Sequence, residues 1–201
     1  MSLTAGQVAA AVQRAATRMR EIEGAITEAD AALGDGDTGL MLRRLLDKLA
    51  VTAQSTPADI GETFHRLGMA GAGATGSSLG TLIVVALLHL GTVTKGRAEI
   101  PWWEVGDLLD GAMGAMMKRG KASLGDKTVL DPIAAVAKAI SGKENQADLA
   151  DAAIRAARST LADFRQRPCK VGRARMFERK SIGLDDPGQL AFVELLATVC
   201  G

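Results

Sequence analysis

The sequence contains no tyrosine, only 3% aromatic residues, two cysteines and five prolines in 201 residues. So low an aromatic content argues against a β-sandwich, whose faces need aromatic and β-branched side chains. The hydrophobic 47%, rich in alanine, favours helices packed through small contacts. Cys169 and Cys200 form no CxxC pair and stand at no metal-ligand spacing from His65 or His89, which points to free thiols in a reducing compartment. The most apolar run, LGTLIVVALLHLG over 79–91, is too short to span a bilayer, and the opening MSLTAGQVAA has no basic segment followed by an apolar block. The expectation is a cytoplasmic protein with no membrane contact. A net charge of +1 leaves no global excess for a wholly basic nucleic-acid binder. Walker A is also missing, since the nearest look-alike, GAMMKRGKAS, has the wrong spacing and follows a helix.

No linker-like shift in composition divides the chain, so a single domain over 1–201 is expected, all-α, with about eight helices and no strand. Thr4 and Gln7 form a potential capping box, followed by Val8, Val12, Ala15, Met19, Ile22 and Ile26 at spacings of three and four, the stripe of an amphipathic helix. A second helix is expected near 38–50. Thr56 and Pro57 have the form of a cap and first position of a third, and a buried fourth covers about 75–90. Pro101 opens a fifth, Asp131-Pro132 sits in the first turn of a sixth, a seventh runs through NQADLADAAIRAARSTLADFRQR, and the last covers roughly 187–199.

Continuing the first stripe four residues beyond Ile26 reaches Asp30, and three more reach Leu33, so a carboxylate takes an inward place that an apolar residue would ordinarily fill. It stands at the head of DAALGDGDTGL, with Asp35 and Asp37 close behind. Burying one carboxylate costs several kcal/mol unless something positive compensates it. Two readings stay open at this point: the three aspartates are ordinary caps and turn formers, or they hold a cation. An EF-hand is excluded, because Leu40 and Leu46 fall on the positions that require glycine and glutamate. Magnesium suits the pattern better, since it takes a few carboxylates together with waters and phosphates.

A second glycine-rich segment, GMAGAGATGSSLGT (68–81), leads into the fourth helix, where amides and the hydroxyls of Thr75, Ser77 and Ser78 can face a phosphate; small residues there also permit close packing. The long irregular stretch at about 168–186 continues a basic run with seven Lys or Arg between 165 and 180, and closes on Asp186-Pro187-Gly188. Solvated surface, a nucleic-acid patch and phosphate recognition within the chain all remain open for it.

Four ordered segments, DAALGDGDTG, GAGATGSSLGT, RGKASLGDKTVLD (119–131) and GRARMFERKSIGLDDPG (172–188), give the chain a resemblance over essentially its whole length. It resembles the L subunit, the nucleotide-binding part, of dihydroxyacetone kinases. The resemblance implies a closed barrel of eight antiparallel helices with the nucleotide at one end. It implies two magnesium ions held by Asp30, Asp35 and Asp37, which would also be the catalytic residues. It sets Thr38, Gly39, Leu40, Met41, Thr75, Gly76, Gly120, Val129, Arg173, Asp186, Pro187 and Gly188 around ADP or ATP.

In the bacterial three-subunit branch of that family, the L subunit keeps its ADP, takes a phosphoryl group from a phosphocarrier M subunit and passes it to a substrate held on a K subunit. The resemblance therefore implies K-type and M-type partners, dependence on the phosphotransferase system, and dihydroxyacetone or a close keto-sugar or polyol as acceptor. Nucleic acid is not an expected partner. Two alternatives stand beside this: a kinase domain serving another acceptor through another partner, since GDGDTG is also similar to the related domain of certain fatty-acid kinases, or a nucleotide-binding regulator.

Overall fold

Thr4 starts the first helix in the way its spacing from Gln7 predicts. Its hydroxyl accepts a hydrogen bond from the Gln7 N–H at 3.3 Å, and its own N–H donates to Gln7 Oε1 at 2.8 Å, closing the capping box. In the computed structural model, which describes residues 2–55, 57–171 and 179–200, the described residues form eight α-helices. They are α1 (Ala5–Ala31), α2 (Thr38–Thr52), α3 (Ile60–Ala72), α4 (Ser78–Val93), α5 (Val105–Gly120), α6 (Leu130–Ile140), α7 (Gln146–Phe164) and α8 (Pro187–Cys200). Each packs against its neighbours in sequence, and α8 also packs against α1 and α6, so the succession of contacts returns to where it began.

The sequence predicts no strand, but two short ones form: β1 (Ser2–Thr4) pairs antiparallel with β2 (Glu99–Pro101), Leu3 opposite Ile100. Three residues are too few for a period-2 pattern to register. What drives the pairing is burial, for Ile100 is fully buried with Ala5 and Ile60, and Leu3 packs against them. Helix starts also shift, at α3 and α5. Thr56 lies outside the described residues, and Pro57 precedes α3, which begins at Ile60 under Asp59. That side chain satisfies two N–H groups, of Glu62 at 2.9 Å and Gly96 at 2.7 Å, and is the better cap. Pro101 ends β2, and a single 3₁₀ turn, Trp102–Glu104, intervenes before α5.

The stripe read from the sequence is the buried face of α1: Val8, Ala15, Met19, Ile22 and Ile26 join Leu42, Leu45 and Leu49 of α2 in one core cluster. Val136, Ile140, Leu149, Ala153, Ala157 and Val193 form a second cluster among α6, α7 and α8. A third, with Met113, Met116, Val129, Leu130 and Ile133, has Leu79 and Leu82 of α4 packed against it. No described helix is long and apolar enough to cross a membrane.

The α1–α2 contact is close because Gly39 has no side chain. A Cβ there would overlap Thr27 Oγ1 and the carbonyl oxygen of Glu23, both on α1. Gly39→Ala is therefore expected to force the helices apart and lower stability by about 1–3 kcal/mol, the range for overpacking, as read by urea unfolding. An unchanged midpoint would show that α1 and α2 tolerate separation at this point.

Candidate functional site

The end of α1 and the start of α2 build the first wall of the site. Asp30, in the last turn of α1, is buried, and its Oδ2 accepts the N–H of Thr38 at 3.1 Å. The chain between them turns through Gly36 at φ +72°, a left-handed conformation that glycine adopts without a steric penalty. This brings one carboxylate oxygen from each of Asp30, Asp35 and Asp37 within 4.8 Å of one another, with Asp35 and Asp37 exposed. Asp37 stands at the N-cap of α2, yet its side chain makes no capping bond. Capping falls instead to Asp30, eight residues before Thr38, so Asp37 is not held by the ordinary duty of an aspartate at a helix start. Carboxylates this close repel by roughly 1–4 kcal/mol per pair, a cost that a bound cation removes. The donor set is all oxygen, as a hard cation such as magnesium requires.

The start of α4 makes the second wall. Ser77 caps this helix through Oγ, which accepts the Gly80 N–H at 3.0 Å, while the Ser77 N–H donates to Thr75 Oγ1 at 3.3 Å. The helix consequently begins at Ser78, three residues later than the sequence pattern suggests.

The third wall joins the turn before α6 to the start of α8. Asp131, buried in the first turn of α6, accepts the N–H of Gly125 at 2.6 Å and of Thr128 at 2.8 Å, and Gln189 Nε2 donates to it at 3.4 Å. These bonds hold Lys127 at φ +60°, where a side chain costs about 1 kcal/mol or more. The Lys127 side chain is fully buried, and its Nζ donates to the carbonyl oxygens of Leu184 (2.7 Å), Arg167 (2.8 Å), Ser181 (2.8 Å) and Arg165 (3.2 Å). Three protons meet three short bonds, and the fourth contact is the longest. Burial pushes the Lys127 pKa down, against the pull of Cys169, Asp186 and Asp185. Asp186 accepts the Gln189 N–H at 2.8 Å at the start of α8. Desolvation raises its pKa to about 6, although that N–H and Lys127 both act to lower it.

These walls enclose an open cavity of about 610 Å³, within the size of small-molecule sites. Asp30, Asp35, Asp37, Thr38, Leu40, Met41, Thr75, Gly76, Val129, Asp186, Pro187 and Gly188, singled out from the sequence, line it together. Gly39 does not, because it is turned onto α1. Gly120, at the end of α5, also falls outside the lining, and a Cβ there would meet Leu82. Arg173 lies outside the described residues. Sequence reasoning missed Arg44 and Lys127, both in the lining. Arg44 had a signal, its position seven residues after Asp37 on a helix; Lys127 had none, since a lysine in a polar turn reads as surface.

Comparison with known proteins adds to this geometry. The profile of the DAK2 domain matches residues 32–201. The chain is 29% identical over 172 residues to the ADP-binding subunit DhaL of PEP-dependent dihydroxyacetone kinase 1 from Listeria innocua, covering 85% of this chain and 83% of the relative. It is 30% identical to the PEP-dependent dihydroxyacetone kinase subunit DhaL of Escherichia coli, covering 81% and 80%. An L-erythrulose kinase from Pectobacterium atrosepticum is 33% identical over 85% of this chain, which spans only 30% of that larger protein. Among solved structures, the dihydroxyacetone kinase from C. freundii in complex with AMP-PNP and Mg2+ superimposes with a TM-score of 0.77 at 21% identity. The match covers 100% of this chain and 34% of that one, a likeness of fold.

The Asp186 carboxyl carries a pH dependence. Its proton is bound more tightly in the folded chain, at about 6, than in the unfolded chain at the ordinary 3.8. Stability from this group is therefore complete below about pH 4 and is lost as pH rises through 6, leaving a cost of about 3 kcal/mol above it. Asp186→Asn, which keeps the acceptor for Gln189, is expected to exceed wild type in stability by about 2–3 kcal/mol at pH 7.5 and by little at pH 4. Urea unfolding at the two pH values checks this, and a difference independent of pH would contradict it.

Proposed function

We propose that this chain, which belongs to the DAK2 domain family, is a phosphotransferase subunit that binds ADP or ATP with magnesium. In this reading it passes a phosphoryl group to dihydroxyacetone or a close keto-sugar or polyol. The observation that carries the reading is the aspartate trio, three carboxylate oxygens within 4.8 Å at the wall of a cavity of about 610 Å³. Relatives named as ADP-binding subunits of PEP-dependent and PTS-dependent dihydroxyacetone kinases support it at 26–30% identity over most of their length. Their names describe one subunit of a larger kinase, and in this reading the chain works with a substrate-holding K-type subunit and a phosphocarrier M-type subunit. The relative named an L-erythrulose kinase keeps the acceptor at the level of a small keto-sugar.

In this reading Asp30, Asp35 and Asp37 hold two magnesium ions, which neutralise phosphate charge when bound. The residues of the chain then do positioning work. The Thr75–Ser78 segment presents the N-terminal end of α4, whose dipole favours anionic groups, toward the cavity. Leu79, Leu82, Val129 and Pro187 offer apolar surface for a base. Phosphoryl transfer asks of a protein mainly orientation and charge stabilisation, and this cavity is built to supply both.

Denaturing the purified chain and chromatographing the supernatant is expected to release an adenine nucleotide. In its absence, ADP with magnesium at a hundredfold excess over Kd should stabilise the protein by about 2.7 kcal/mol, a rise in Tm of roughly 5–10 °C. Asp35→Asn and Asp37→Asn are each expected to lose that magnesium-dependent shift and phosphoryl transfer while keeping the helical circular dichroism. Full shift and turnover in both variants would reduce the aspartates to turn formers.

A further inference from the structure

Arg44 occupies a particular place on α2. Seven residues separate it from Asp37, so Asp37, Met41 and Arg44 fall on one face of the helix, and all three line the cavity. Seven residues rise about 10 Å along a helix, and long helical side chains tend to lean back toward the N-terminus, the end of α2 that carries the aspartate turn.

Its neighbour Arg43 is engaged elsewhere, with Nε 2.6 Å from Glu23 and Nη1 3.5 Å from Asp47. Arg44, which is exposed, has no hydrogen-bond or ion-pair partner among the described residues, although aspartates line the same cavity. The other cationic side chain in the described lining, Lys127, has its protons committed to backbone carbonyls. Arg44 is thus the guanidinium in the described lining that is left to meet a solute anion. A planar fork of donors matches the oxygens of a phosphate in two parallel bonds.

We propose that Arg44 binds the terminal phosphates of the nucleotide, beyond the α-phosphate, at the end of the cavity where the three aspartates converge. This rests on the nucleotide reading above. The base end is the opposite wall, where Val129 and Pro187 are apolar, and Arg44 shares its helix face with Asp37.

Calorimetric titrations of protein first stripped of bound nucleotide, with magnesium then restored, test it, using ADP and a non-hydrolysable ATP analogue, and AMP by displacement of ADP. Arg44→Ala is expected to weaken ADP and the ATP analogue by about 10–100-fold, the range for a lost charge-assisted pair, and AMP by less than twofold. Arg43→Ala removes the same charge from the same helix and is expected to bind all three like wild type. Arg44→Lys, which keeps charge without the fork, should fall between. Because Arg44 is exposed, melting temperatures of the free variants should be unchanged.

Equal ADP affinity in Arg44→Ala and wild type would overturn the assignment while leaving the nucleotide reading intact. An equal loss for AMP and ADP would overturn it too, by moving the contact to the α-phosphate, ribose or base. Wild type that binds neither ADP nor the analogue would instead defeat the nucleotide reading itself.

Discussion

The hydrogen bond from the Thr38 N–H to Asp30 fixes how α1 meets α2, and the site follows from it. A buried carboxylate must be compensated, and here the compensation is the N-terminus of the next helix, both through one N–H and through the helix dipole. Asp30 therefore does the work of a cap from eight residues before Thr38. That leaves Asp37, which occupies the cap position, without a capping bond, and lets Gly39 seat α2 directly on α1. The tight turn through Gly36 is a consequence of the same contact, since only a few residues join two helix ends that touch. Local structure, helix packing and the convergence of three carboxylates are one arrangement.

The opposite wall solves a comparable problem with the charges reversed. Lys127 is buried and satisfied by carbonyl oxygens, two from residues 165–167 and two from residues 181–184. One ammonium ties both ends of the long irregular stretch to the turn before α6. Asp131 secures that turn through two amides, and Gln189 bridges it to α8. The Asp186-Pro187-Gly188 segment is held in the lining by this network and by the burial of Pro187 and Gly188 at the start of α8.

Legibility from sequence follows from which kind of force builds each part. Helices resting on a periodic apolar face were read with nearly correct ends: α1 with its capping box, α2, α6 and α8. Asp30 was found because it interrupts a period, and Asp35 and Asp37 because glycines flank them. Starts decided by side-chain competition were not, as at α3, where Asp59 prevails through a contact with Gly96, 37 residues away. The β1–β2 pair escaped for the same reason, being a long-range contact between segments too short to carry a pattern. Gly39, expected beside the nucleotide from its motif position, faces α1, because motif position does not say which way a helix face is turned. Lys127 was invisible, since nothing in GDKT reports that four carbonyls distant in sequence converge on it.

A common rule links the ions of the cavity. Among the charges that line the cavity, Asp30 is buried and satisfied by an amide, and Lys127 is buried and satisfied by carbonyls. These two cannot be released without leaving an uncompensated buried charge, so they build walls. The exposed members, Asp35 and Asp37 of one sign and Arg44 of the other, stand on the surfaces those walls create. In water Asp37 and Arg44 gain little from the protein and keep their capacity for a solute. A ligand carrying both signs, a polyphosphate together with its divalent cations, meets complementary groups on this surface, and the rise of α2 between Asp37 and Arg44 sets the distance between them.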